Sequence, residues 1–141
     1  MKNNIIVLVG LPGSGKSRMA NQINKDNDGK YKIIDDPKKL ETDIKPFLDR
    51  DIIITDPALC FEVNREKAEE LFKEFAPNAK VDWIYFENNP QQCLKNAEIR
   101  NRALTLSMKP KRNVDSFIRN LHQFYIIPEG ANIVSVWGSN N

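Results

Sequence analysis

Two spacings of apolar residues take turns along this chain: short unbroken runs and helical stripes. Ile5-Ile6-Val7-Leu8-Val9 is a continuous β-branched and aliphatic run, the pattern of a strand buried on both faces of a parallel sheet. A glycine cluster follows, and Lys16 to about Lys25 reads as a helix with Met19, Ala20 and Ile23 on its inner face. Asp28-Gly29 marks a turn before a second, short strand over Tyr31–Ile34. Pro37 suits a helix start, where its missing N–H has no partner to lose. Leu40, Ile44 and Leu48 form that helix's stripe, and Pro46 kinks or ends it. Ile52-Ile53-Ile54, within Asp51–Thr55, is the third strand.

From Asn64 a helix places Ala68, Leu71, Phe72 and Phe75 on one core-facing stripe, and Pro77 stops it. Val81–Phe86 is a fourth strand, carrying Trp83 and Tyr85. Asn88 and Asn89 before Pro90 read as the cap and first turn of a helix running toward Arg102. Leu106–Asn113 is polar, basic and interrupted by Pro110, which makes it a mobile loop; residues 99–113 together are a candidate lid. Val114, Phe117, Ile118, Leu121 and Tyr125 give another amphipathic helix, and Ile133–Trp137 a last strand. Such alternation predicts an α/β fold of three layers, a five-stranded, mainly parallel sheet with helices on both faces. Ligands bind such sheets at the carboxyl ends of the strands, so the residues just after each strand carry the functional reading.

Composition narrows the setting. A length of 141 residues fits a single domain over 1–141, and 40% hydrophobic with 28% charged residues is ordinary for a soluble globular chain. The formal charge of +2 leaves a polyanionic partner to be met by local patches. No apolar run approaches the roughly 18 residues of a membrane span, and Met1–Asn4 is too short to lead a signal peptide. Cys60 and Cys93 have no metal or disulfide spacing, so free thiols in a reducing cytoplasm are expected. His122 reads as packing or surface.

Three of the six glycines, Gly10, Gly13 and Gly15, crowd into one segment, Gly10-Leu11-Pro12-Gly13-Ser14-Gly15-Lys16-Ser17. It satisfies the G-x-x-x-x-G-K-[ST] phosphate-loop pattern between a strand and a helix. Glycines let successive backbone N–H groups converge on phosphate oxygens, and the helix start turns its positive dipole end toward the same anion. Lys16 supplies a cation for the terminal phosphates, and Ser17 a hard oxygen for Mg²⁺. The expected nucleotide-binding set is Gly10, Leu11, Pro12, Gly13, Ser14, Gly15, Lys16, Ser17 and Arg18, for ATP or another nucleoside triphosphate with Mg²⁺.

Asp35 and Asp36 follow the second strand. A carboxylate there can take the proton of an acceptor hydroxyl as phosphoryl transfer proceeds, while Asp36 before Pro37 equally fits a helix cap. Lys38 and Lys39 are grips for an anionic acceptor or plain solvated charge. Asp56, after the third strand, orders the Mg²⁺ shell or simply forms a turn before Pro57. Arg100 and Arg102 bring guanidinium charge over the phosphates or complement a helix dipole. They diverge by about 200° on a helix, so one of them is the actor. Phe117, Phe124 and Tyr125 read as core rather than as a base-stacking platform. Asn24-Lys25-Asp26 is not a guanine-reading motif, because Asn27 stands where the acid is required.

The chain resembles the kinase module of phage-type polynucleotide 5′-kinases, from Lys2 to about Pro128, most specifically at Gly10–Ser17, Tyr31–Lys39 and Ile52–Phe75. The resemblance implies a 2-3-1-4-5 strand order and ATP/Mg²⁺-dependent phosphorylation of a hydroxyl, foremost a 5′-hydroxyl of a polynucleotide. It places the base on Asp36, a metal-supporting acid on Asp56 and the lid arginine at Arg100 or Arg102. It makes Asp36, Lys39 and Asp56 the substrate side, with Lys39 where the family has an arginine. The acceptor is expected to be a nucleic-acid 5′ end or a small nucleotide, with no membrane partner. A cytoplasmic location follows, including that of a phage protein in its host. Other readings are a kinase of a nucleotide, a small metabolite or a hydroxylated DNA base, and a nucleotide-binding NTPase or regulator without an acceptor.

Overall fold

The unbroken run Ile5–Val9 becomes the centre of the molecule in the computed structural model, which describes residues 2–139. Ile5, Val7, Leu8 and Val9 are fully enclosed there, each contributing about 1.5–3 kcal/mol of burial. They belong to strand β1 (Asn4–Val9), which pairs in parallel with β3 (Ile52–Thr55) on one side and β4 (Lys80–Phe86) on the other. β2 (Lys32–Asp35) extends the sheet beyond β3, and β5 (Asn132–Val134) beyond β4. The order is β2-β3-β1-β4-β5 and every pairing is parallel, as expected. The intervening helices are α1 (Lys16–Asp26), α2 (Leu40–Ile44), α3 (Glu62–Phe75), α4 (Pro90–Leu106) and α5 (Asp115–Leu121).

Side-chain alternation along β4 places the layers. Trp83 stacks on Tyr85 and meets Phe72 of α3 on one face. Phe86 points the opposite way, against the glycines that open α1. Tyr125 fastens the carboxyl edge: its buried hydroxyl lies within hydrogen-bonding reach of the Val9 and Phe86 carbonyls, at the ends of β1 and β4. Asn88 donates to the His122 and Tyr125 carbonyls beside it. Among the described residues no helix is long and apolar enough to cross a membrane.

Several boundaries differ from the sequence reading, each for a local reason. The helix after β2 begins at Leu40 rather than Pro37. Asp36 takes a left-handed conformation (φ +47°), and Lys39 is still extended, its N–H donating to the Asp43 carboxylate. Pro46 does end that helix, within a 3₁₀ turn over Lys45–Phe47. A further 3₁₀ turn, Pro57–Cys60, precedes α3, which starts at Glu62 instead of Asn64. Phe75, at the last position of α3, leaves the core stripe and lies 41% exposed beneath the Lys45 ammonium. α4 is capped by Asn89 as expected, accepting from the Gln92 N–H, but continues past Arg102 to Leu106. Tyr125 is buried, whereas Phe117 and Phe124 are exposed and contradict their reading as core. The last strand stops at Val134, because the Val136 N–H is taken by the Glu87 carboxylate and the Trp137 N–H by the Ser14 carbonyl.

Candidate active site

The carboxyl end of β1 turns into α1 through the glycine-rich segment, and the packing explains its residue types. Gly13 (φ +84°) and Gly15 (φ +105°) occupy left-handed backbone that side chains disfavour. A Cβ on Gly13 would also lie 2.6 Å from the Cys93 carbonyl oxygen of α4. Gly10 has no room for a Cβ either, because the buried Ser14 hydroxyl stands 2.6 Å from that position. Leu11 is fully buried, and its carbonyl accepts from the Ser14 N–H.

Lys16 is buried, and its ammonium donates to the Gly10 and Leu11 carbonyls at 2.9 Å each. Burial pulls this ammonium below the usual lysine range, against the raising influence of Cys60, Asp36, Cys93 and Asp35. Its hydrogen bonds go only to backbone carbonyls, in a loop whose glycines leave the backbone open, which fits an anionic ligand. Cys60 and Cys93 are free, buried thiols pushed up to about 12 by desolvation, so neither is a thiolate near neutrality.

A cleft of about 630 Å³ opens over the loop, bringing together Lys16, Ser17, Asp35, Asp36, Arg100 and Arg112. The Ser17 hydroxyl lies 3.1 and 3.3 Å from the two Asp35 carboxylate oxygens, and the Thr55 hydroxyl donates to Asp35 as well. Hydroxyl and carboxylate oxygens are the donors Mg²⁺ takes, so Ser17 and the adjoining Asp35 fit that cation. Among the described residues no group of three or more His, Cys, Asp and Glu forms a metal cage. Asp36 lies in the same cleft, its N–H donating to the Thr55 carbonyl at 2.7 Å. Loss of hydration, then the Asp35 charge, raises the Asp36 carboxyl above the usual aspartate range, while Lys16, Arg112 and Arg100 oppose the shift.

Asp56 and Arg102 line neighbouring clefts. Asp56 is buried and its carboxylate accepts from the Ala58 N–H at 2.9 Å, capping the 3₁₀ turn. It lines a second cleft of about 650 Å³ with Lys38, Lys39, Asn64 and Lys67, and burial raises its carboxyl. Asp35 is the carboxylate within hydrogen-bonding reach of Ser17, while Asp56, held by its Asp-Pro turn, is close enough to Asp36, Lys16 and Asp35 for their charges to act on its carboxyl. Arg102 points away from the phosphate loop, paired with Glu98 at 2.6 Å one turn earlier on α4. Arg100 faces the cleft. Arg112 joins it because Asn101 of α4 exchanges two hydrogen bonds with the Arg112 backbone, at 2.8 and 2.9 Å.

Sequence reasoning missed Trp137, Phe117 and Asn96. Trp137 is exposed beside the loop, and the Arg18 guanidinium lies 4.8 Å from its ring centre. Phe117 and Ile99 line the same cleft. The apolar spacing of Trp137 and Phe117 is indistinguishable from core spacing, so no local signal separates them. Asn96 is a buried amide one turn before Arg100.

Solved structures with a similar fold include a gluconokinase from Sinorhizobium meliloti 1021 (17% identity, TM-score 0.61, 96% of this chain and 83% of that one). A fungal RNA kinase matches at 15% identity and TM-score 0.61, covering 96% and 74%. The Mycobacterium tuberculosis APS kinase, solved with AMPPNP and APS, matches at 14% identity and TM-score 0.59, covering 98% and 91%. At these identities the likeness shows the fold, which is that of the P-loop NTPases. No protein-family model matches the chain. An uncharacterized protein of Acanthamoeba polyphaga mimivirus is 30% identical over 111 residues, spanning 72% of this chain and 75% of that protein. With that identity across most of both sequences, on a P-loop fold with a complete phosphate loop, the chain belongs to the same family as this mimivirus protein.

Proposed function

We propose that the protein is a kinase transferring the γ-phosphoryl group of a nucleoside triphosphate to a hydroxyl, foremost the 5′-hydroxyl of a polynucleotide. The observation that carries the reading is the meeting of Lys16, Asp36, Arg100 and Arg112 in one cleft over the phosphate loop. The loop's N–H groups and Lys16 hold the donor phosphates, Trp137, which lines the cleft with the Arg18 guanidinium over its ring, serves as the platform for the donor base, and Ser17 with Asp35 would hold Mg²⁺. The cation, when bound, screens charge on the phosphate oxygens. Asp36 accepts the proton of the acceptor hydroxyl as that oxygen bonds to the γ-phosphorus and the bond to the donor's bridging oxygen breaks. Its raised carboxyl makes it a better proton acceptor than an ordinary aspartate. Arg100 and Arg112 stabilise the charge spread during transfer.

The second cleft, at the Asp56 side, carries Lys38, Lys39 and Lys67 among the carboxylates Glu41, Asp56, Glu70 and Glu74, and these lysines are the groups that would grip a phosphate on the acceptor. Kinase structures sharing the fold support the reaction class, and the RNA kinase among them supports a polynucleotide acceptor. The test is transfer of labelled γ-phosphate to a panel of 5′-hydroxyl oligonucleotides, deoxynucleoside monophosphates, hydroxymethylated DNA, and water alone. Label on oligonucleotides is expected. Label on small acceptors only would overturn the polynucleotide assignment, and release to water only would overturn the kinase.

A further inference from the structure

The phosphate loop and the Trp137 turn come from opposite ends of the chain, yet one side chain holds both. The Asn96 amide nitrogen donates to the Gly13 carbonyl at 2.8 Å and to the Trp137 carbonyl at 2.9 Å. Its oxygen accepts from Gln92 Nε2 at 3.0 Å. Carbonyls only accept, so both amide hydrogens must face them, and the residue is buried, at 8% exposure. The Trp137 N–H adds a direct bond to the Ser14 carbonyl at 3.0 Å. Packing closes the same joint: a Cβ on Gly15 would touch the Trp137 Cβ at 3.0 Å, and one on Gly138 would touch Gln92 at 3.0 Å.

We infer that Asn96 is a positioning residue that couples the donor's base platform to its phosphate loop, so that a base on Trp137 and phosphates on the loop reinforce each other's binding. Asn96 touches neither ligand group; it acts through the Gly13 and Trp137 carbonyls. A buried amide spanning two segments far apart in sequence adds to their direct contact and transmits displacement of either to the other, since losing one of its bonds strands a buried polar group. The inference rests on the nucleotide-binding part of the proposed function and is independent of the acceptor.

The test is a double-mutant cycle read by calorimetry, with Mg²⁺-AMPPNP as a donor analogue that carries a base and inorganic tripolyphosphate as a probe without one. Asn96→Leu keeps the branched heavy-atom skeleton and removes the bonds, and Trp137→Ala removes the platform. In the parent, Trp137→Ala should weaken the analogue by about tenfold or more; in the Asn96→Leu background its cost should fall below about threefold, the scale of coupling within one network. Tripolyphosphate should be indifferent to Trp137→Ala in both backgrounds. Equal cost of Trp137→Ala in the two backgrounds would overturn the coupling and leave Asn96 a structural residue. A parent that binds neither probe would overturn the nucleotide reading itself. Should Asn96→Leu fold poorly, Trp137 emission in a Trp83→Phe background replaces it. There, tripolyphosphate should shift the parent's emission and lose that shift in Asn96→Ser; an undiminished shift in Asn96→Ser would overturn the inference.

Discussion

Gly13→Ala tests how tightly α4 and the phosphate loop depend on each other, and Gly29→Ala supplies its control. Both glycines sit in left-handed backbone, at φ +84° and +73°, so an alanine costs about 1–2 kcal/mol at either for conformation alone. Their surroundings differ. A Cβ on Gly29 meets nothing within 4 Å, while one on Gly13 lies 2.6 Å from the Cys93 carbonyl oxygen. That oxygen belongs to helix backbone and cannot rotate away, so relief requires moving the loop or the helix, at a further cost of about 1–3 kcal/mol. The expected losses are therefore about 1–2 kcal/mol for Gly29→Ala and about 2–5 kcal/mol for Gly13→Ala. For a chain of this length each kcal/mol moves Tm by about 3–5 °C, so the two variants should melt about 3–15 °C apart. Urea denaturation and calorimetric binding of an ATP analogue read the outcome, with binding lost in Gly13→Ala and kept in Gly29→Ala. Equal stability of the two variants, with nucleotide affinity retained in both, would refute the argument that close approach of α4 shapes the loop.

Lys16→Ala should abolish nucleotide-dependent stabilisation, which at a ligand concentration a hundred times Kd amounts to about 2.7 kcal/mol in the parent; a thermal shift with ATP and Mg²⁺ checks it. Because the Asp36 carboxyl is raised, the acid limb of kcat/KM should lie above that of an ordinary aspartate, above about pH 4. The same shift favours the fold at low pH, and that contribution disappears as pH rises through the folded value. Asp36→Asn should accordingly be at least as stable as the parent at pH 7 in denaturant titrations, while transfer is lost. Tyr125→Phe removes a hydroxyl bridging the Val9 and Phe86 carbonyls and should cost about 1–3 kcal/mol through the stranded acceptors, read by urea denaturation with the ATP site intact.

The core and the phosphate loop were legible because their information is local. Ile5–Val9 can only be a strand buried on both sides, and Gly13, Gly15, Lys16 and Ser17 announce an anion site by type and spacing. The strand-end rule likewise brought Asp35 and Asp36 to the right edge of the sheet. What escaped depends on contacts between distant segments. Trp137 reads as the end of a strand until Ser14 and Asn96 take its own N–H and carbonyl and Glu87 takes the Val136 N–H. Phe75 fits the α3 stripe by spacing, but the helix ends there and exposes it. Asp35 and Asp36 are adjacent in sequence, and only the left-handed turn at Asp36 separates the residue beside Ser17 from the candidate base. Arg100 and Arg102 are equivalent as text; the continuous α4 puts them on different faces.

Phosphoryl transfer by Asp36→Asn, measured beside its binding of ATP, tests the kinase account most directly. With labelled ATP, Mg²⁺ and a 5′-hydroxyl oligonucleotide, the parent should label the oligonucleotide. The variant should bind ATP with unchanged affinity and transfer at least about a hundredfold more slowly, as loss of a general base requires. Transfer by Asp36→Asn at the parent's rate would contradict the account.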